Sequence, residues 1–358
     1  MRSTRLAAAL ILLALGVAAC GNPSSGSSGA TAGKKIAFLT PDGAARYDNQ
    51  DRPLFTAKVQ SLCSNCAVDY RNAGGDAAAQ VQQAASALAA GAGVLVLDPV
   101  DPKAASAIVD AAAKRKVPVI AYDRLVMNTS GLAYYVSFDN ETVGALQGKS
   151  LLSAMKTATK PTIVMINGDA DDPEAKAIKK AAHAALDGKV IVATDFDAPS
   201  WNEASAQSAM AKSLVALQNK VDGVYAANDE VAGGVVAALK AARVKAMPPV
   251  TGGDAELAAV QRIIAGDQLM TVYKPFRQEA ELAATLAYDL VFGVSVPEAV
   301  VGGKLVNNGE RDVPAVLVQP VAVTRKSLIS TVVADGLWTR SQLCTAEYAQ
   351  ACRAAGLS

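Results

Sequence analysis

Residues 93–98 read Gly-Val-Leu-Val-Leu-Asp, and residues 117–123 read Val-Pro-Val-Ile-Ala-Tyr-Asp. Neither run alternates apolar with polar residues, so a strand built from either is buried on both faces. Ala104–Lys116 between them reads as an amphipathic helix. Strand, helix and buried strand in succession mean a parallel sheet covered on both sides. The same grammar extends backwards through the strand Lys35–Leu39 and the Ala-rich helix Ala77–Ala90. It restarts near Glu141, with strands at Thr162–Asn167, Val190–Thr194, Gly223–Ala227, Pro249–Gly252 and Met270–Tyr273. A helix over Phe276–Phe292 and a strand-like stretch, Val313–Val323, follow. Two doubly wound α/β units in series predict two lobes of like architecture, with the last pieces returning to the first lobe and then to the second.

In open parallel sheets a ligand sits beyond the carboxyl ends of the strands. Here those ends carry Asp42, Asp98, Asp123-Arg124, Asn167-Gly168-Asp169, Asn228-Asp229, Asp254 and Lys274. They mix hydrogen-bond donors with acceptors, which is what a polyhydroxylated ligand needs, because each hydroxyl both gives and accepts. A phosphate ligand would favour glycine-rich loops and cations instead.

The N-terminal residues form an address. Arg2 and Arg5 precede an apolar run, Leu6–Val17, too short to span a bilayer as a stable helix. It ends Val17-Ala18-Ala19-Cys20-Gly21, small residues before a cysteine, as a lipoprotein signal peptidase requires. Residues 1–19 are therefore expected to be removed and Cys20 lipidated, tethering the chain to the outer face of a membrane. Residues 20–33, rich in Gly and Ser, have nothing to bury and read as a flexible tether. The net charge of +1, with no basic block, argues against a nucleic-acid partner. Of the five cysteines, Cys63, Cys66, Cys344 and Cys352 remain after Cys20. Outside the cytoplasm an even set favours disulfides, and the local pairs Cys63–Cys66 and Cys344–Cys352 are preferred among three connectivities. Zinc is disfavoured because the chain has one histidine, His183.

At its strand ends the sequence strongly resembles the ribose/galactose-type periplasmic sugar-binding proteins that serve ABC transporters, and within them the xylose-binding branch. Ala121-Tyr122-Asp123-Arg124, Val136–Glu141, Ala227-Asn228-Asp229, Gly252–Ala255, Met270–Pro275, Asn307-Asn308-Gly309 and Asp312-Val313-Pro314 carry the likeness, which runs from about Lys34 to about Gly336. The resemblance implies the type I binding-protein fold: two lobes joined by three hinge crossings, closing over a monosaccharide. The crossings would fall near Val136–Ser137, Lys274–Pro275 and Asp312–Pro314. The lobes would be 34–137 plus 275–312 and 138–274 plus 313–336, leaving 337–358 as an appendage. The resemblance also implies a ligand set of Arg46, Tyr47, Asp123, Arg124, Asp172, Trp201, Asn228, Asp254 and Lys274. Two departures stand out. Tyr47 replaces a tryptophan, and Pro173-Glu174 replaces two asparagines, so Glu174 either reads another hydroxyl pattern or points away.

No cofactor or metal is expected. The acidic run Asp169–Asp172 has Pro173 and Glu174 where a calcium loop wants a ligand and a glycine. The pairs Gly233-Gly234 and Gly252-Gly253 lack phosphate-loop spacing and read as turn or packing glycines. The expected activity is capture of D-xylose or a related aldose by a monomer that hands it to ABC permease subunits. A sensor feeding a chemoreceptor or kinase would use the same cleft. A repressor lacks room for a DNA-binding element ahead of the lobes. A sugar-active enzyme would need a carboxylate pair such as Asp172 and Glu174.

Overall fold

The computed structural model describes residues 33–43, 46–155, 159–296, 300 and 303–357. The expected signal peptide 1–19, Cys20 and all but Gly33 of the expected tether lie outside them. No helix among the described residues is long and apolar enough to cross a membrane.

The first sheet collects β1 (Lys35–Thr40), β2 (Ala67–Asn72), β3 (Val94–Leu97), β4 (Val119–Tyr122) and β5 (Leu132–Phe138). They run parallel in the order β2-β1-β3-β4-β5. β3 and β4 are wholly buried, as their unbroken apolar runs require. Helices α1 (Arg52–Leu62) and α9 (Phe276–Phe292) cover one face with Phe55, Val59, Ala280 and Ala284. Helices α2 (Ala77–Ala89) and α3 (Ser106–Lys114) cover the other with Ala84, Leu88, Ile108 and Ala112.

The second sheet is built from β6 (Thr162–Asn167), β7 (Ile191–Asp197) and β8 (Gly223–Ala226), in the order β7-β6-β8. Residues 249–252 then bridge β8 to β9 (Met270–Tyr273) through backbone bonds from both sides, such as Thr251 N–H to Val224 and Leu269 N–H to Val250. Helices α4 (Asn140–Ala154) and α5 (Pro173–Leu186) pack on one face. Helices α6 (Glu203–Ala216) and α7 (Asp229–Ala241) pack on the other, and α8 (Leu257–Ala265) lies beside β9. Gly234 lets α7 approach α6: a Cβ there would sit 2.2 Å from the Glu203 carbonyl oxygen.

The chain passes between the sheets three times. β5 ends at Phe138, one residue beyond the expected boundary, and Asp139 caps α4. β9 ends at Tyr273 and α9 starts at Phe276 against α1, so the second crossing lies at Lys274–Pro275. The third expectation needs correction. β10 (Lys304–Asn307) and β11 (Asp312–Val318) form a hairpin, and β11 pairs parallel with β5 as far as Val318. Only then does β12 (Val321–Thr324) join β9. The crossing is Gln319-Pro320 rather than 312–314, because proline lacks the N–H that would continue the ladder.

The C-terminal residues pack against the lobes. Leu337, Leu343, Cys352 and Leu357 are buried in one cluster with Phe138, Phe276 and Val318, which flank the three crossings. Cys63 is joined to Cys66 and Cys344 to Cys352, with Cα–Cα distances of 5.3 and 5.8 Å.

Candidate ligand-binding site

A cleft of about 1100 Å³ opens beyond the carboxyl ends of the strands. All ten residues named from the sequence line it. Arg46, Tyr47, Asp123 and Arg124 come from the first lobe. Asp172, Glu174, Trp201, Asn228, Asp254 and Lys274 come from the second. At one point the lobes approach closely enough for Lys103, after β3, to reach Asp171, after β6, at 3.8 Å.

In the first lobe Arg46 precedes a π-type helical turn, Tyr47–Asp51, that leads into α1. Each of its three guanidinium nitrogens meets a carboxylate. Nε and Nη2 donate to Asp51 at 3.0 and 3.1 Å, Nη2 also donates to Glu279 at 2.8 Å, and Nη1 donates to Asp123 at 2.9 Å. The guanidinium carbon lies 4.1 Å from the centre of the Phe276 ring. Asp51 and Glu279 are fully buried, and burial pushes both carboxyls up despite Arg46. Burial pushes the Asp123 carboxyl the same way, but Arg46, Lys274 and Arg124 outweigh it and hold Asp123 low. Asp123 itself has φ 57°, a left-handed backbone that costs a non-glycine residue ~1–3 kcal/mol. Its Oδ2 takes Arg46, while its Oδ1 is buried and accepts no hydrogen bond among the described residues. Arg124 is held more loosely, at 3.4 Å from the Pro99 carbonyl, 3.5 Å from Asp42 and 4.0 Å from Asp98.

The second lobe arranges its groups at helix N-termini. Asp172 caps α5 by accepting from the Glu174 N–H, and its other oxygen accepts from the Trp201 indole at 3.1 Å. Asn228 caps α7 through Val231. A cap uses one side-chain oxygen, which leaves the amide nitrogen of Asn228 for other work. Trp201 lies in a left-handed turn with Ser200 and covers Gly168, where a Cβ would stand 2.4 Å from the indole. Lys274, at the second crossing, pairs with Glu174 at 2.6 Å and Asp254 at 3.1 Å. Burial alone would lower Lys274, but Asp254, Glu174 and Asp123 hold it well above its ordinary value. Burial pushes Glu174 up to about 7 although Lys274 pulls against it. Glu174 therefore points into the site, and its partner is the lysine.

Two acidic motifs have local structural partners. Asp169 accepts from the Asp171 and Ser200 N–H groups. His183 is partly buried and bridges Asp187 and Asp195 at 2.9 and 3.1 Å. The sequence reading missed Glu230, Glu256, Trp338 and Gln342, which also line the cleft. Glu230 and Glu256 lie two residues beyond Asn228 and Asp254, within reach of the strand-end rule. It also missed Glu279, whose one signal is its position in the first turn of α9, just after Lys274-Pro275.

The family model for the periplasmic binding protein domain matches residues 36–294. The chain belongs to the periplasmic binding protein family. Among its binding-protein relatives, the D-xylose-binding periplasmic protein of Haemophilus influenzae is 36% identical over 316 residues, covering 86% of this chain and 92% of that one. The D-xylose-binding periplasmic protein of Escherichia coli is 34% identical over 314 residues, covering 86% and 92%. A solute-binding protein of an ABC transporter from Clostridium phytofermentans, solved with β-D-glucose, superimposes with a TM-score of 0.79 at 26% identity, covering 87% of this chain and all of its own. Binding proteins of this family work outside the cytoplasm and are not enzymes. This one is a sugar-binding protein of the ABC transport type.

Proposed function

We propose that this binding protein is lipid-anchored through Cys20 and captures D-xylose or a closely related aldose between its lobes for delivery to ABC permease subunits. One observation carries the reading: ten side chains from both lobes, named from the sequence, line a single cleft. Tyr47 and Trp201 offer aromatic faces to the C–H faces of a pyranose. Arg124 and the free oxygen of Asp123 offer a donor set and an acceptor from the first lobe. Asn228, Asp254 and Lys274 offer the same mixture from the second. Closure removes water, so each hydrogen bond strengthens in the lower dielectric. The Cys63–Cys66 and Cys344–Cys352 pairs suit the oxidising space outside the cytoplasm. The binding protein acts as a monomer without cofactor or metal.

Glu174 sets this cleft apart. As a carboxylate it only accepts; holding a proton near neutrality, it also donates. A titration of Trp fluorescence with D-xylose, D-glucose, D-ribose, L-arabinose and D-galactose tests the reading. Saturable binding of at least one aldose, with xylose among the tightest, is expected. No response to any of the five, with no thermal shift, overturns it. For the anchor, Cys20→Ser should move the protein from the membrane fraction to the soluble one.

A further inference from the structure

The Asp254–Ala255 turn is strained, and three of its bonds come from the second lobe. Asp254 has φ 90° and Ala255 φ 53°. The Asp254 N–H donates to Val272 at 2.8 Å, the Ala255 N–H to the Thr271 hydroxyl at 3.1 Å, and the Glu256 N–H to Asp229 at 3.0 Å. Those bonds hold amide hydrogens. The Ala255 carbonyl is satisfied from elsewhere: it accepts from the indole N–H of Trp338 at 2.7 Å. Ala255 is fully buried, so an unpaired carbonyl there would carry its whole desolvation cost. Trp338 arrives on the C-terminal segment, beyond residues 36–294. That segment is fixed by Leu337, Leu343 and Cys352 in the cluster at the crossings. Trp338 also lines the cleft beside Asp254.

We infer that Trp338 is a positioning residue of the cleft: its indole N–H locks the left-handed Asp254–Ala255 turn from which Asp254 reaches Lys274 and the sugar. The C-terminal segment is then part of the binding apparatus. The inference rests on the sugar-binding reading for its effect on affinity, but not for its effect on the turn.

The test is Trp338→Phe, which keeps an aromatic ring and removes the N–H. Titrated with D-xylose and D-glucose, the variant should bind roughly fivefold more weakly, the scale of one buried hydrogen bond. In an Asp254→Ala background the same change should alter affinity by less than about twofold, since its route is gone. An equal loss in both backgrounds, or no loss in either, overturns the proposal. In sugar-free protein, amide hydrogen exchange at Asp254–Glu256 should quicken roughly fivefold while β3 and β4 stay unchanged; unchanged exchange at the turn overturns it. Should Trp338→Phe fail to fold, the intact protein decides. Of its two tryptophan indole N–H signals, assigned with Trp201→Phe, that of Trp338 should be protected from solvent. Free exchange there overturns the proposal. A wild type that binds neither sugar counts against the function reading, and leaves the exchange measurements to judge the turn.

Discussion

Arg46 in the first lobe faces three carboxylates, and Lys274 in the second faces two. The likeness ends there. The partners of Arg46 include Asp51 and Glu279, both closed off from solvent, so the cation completes a buried network and fixes Asp123 at the cleft wall. The partners of Lys274 line the cleft themselves, and burial pushes Glu174 up to about 7. One wall is rigid because breaking it leaves buried charge behind. On the proposed reading, the other exchanges its internal pairs for ligand hydroxyls. Two cleft-lining cations thus differ in their partners: those of Arg46 include two carboxylates closed off from solvent, while both of those of Lys274 line the cleft.

The comparison can be broken by removing each cation. Arg46→Met strands two fully buried carboxylates and should cost about 3–5 kcal/mol in urea unfolding; a loss under about 1 kcal/mol would show that the network relaxes. Lys274→Met should cost less, about 1–3 kcal/mol, because Glu174 can take up a proton. That loss should be larger at pH 8 than at pH 6, and aldose affinity should fall at least tenfold, about 1.4 kcal/mol. Equal stability losses for the two variants would erase the contrast between walls.

Two gentler changes sharpen it. Gly168 is not left-handed, so Ala adds no backbone strain, but its Cβ would strike the Trp201 ring. Gly168→Ala should shift Trp201 emission, cost about 1 kcal/mol of stability as a mild overpacking, and weaken aldose binding about fivefold, roughly 1 kcal/mol. Glu174→Gln should have the smallest effect, visible in the pH profile. Between about 4.5 and 7 the folded chain keeps a proton on Glu174 that the unfolded chain has released. Stability therefore falls as pH rises through that window. The midpoint difference between wild type and Glu174→Gln should change across it and be level above it; a constant difference from pH 4 to 8 would remove the proton from Glu174.

The second wall was legible in the sequence because each group follows a buried strand: Asn228 after β8, Lys274 after β9. The commitment of Arg46 was not, since Asp51 sits in a helical turn and Glu279 far along the chain, with nothing local to pair them. β2 and β10 were missed as edge strands without a continuous apolar run. The stretch Val313–Val323 reads as one strand because only Gln319-Pro320 interrupts it, yet it divides between two sheets. The C-terminal segment carried no pattern that distinguishes a tail from a core element. Its leucines acquire meaning only against Phe138 and Phe276.

The place of β11 bears on the order in which the protein comes into being. Its partner β5 is made early, but residues 312–318 emerge from the ribosome near the end of synthesis. Until then β5 has one bare edge and the first sheet lacks its last parallel strand. The second sheet waits longer still, for β12. Neither lobe can therefore finish folding before almost the whole chain has been made.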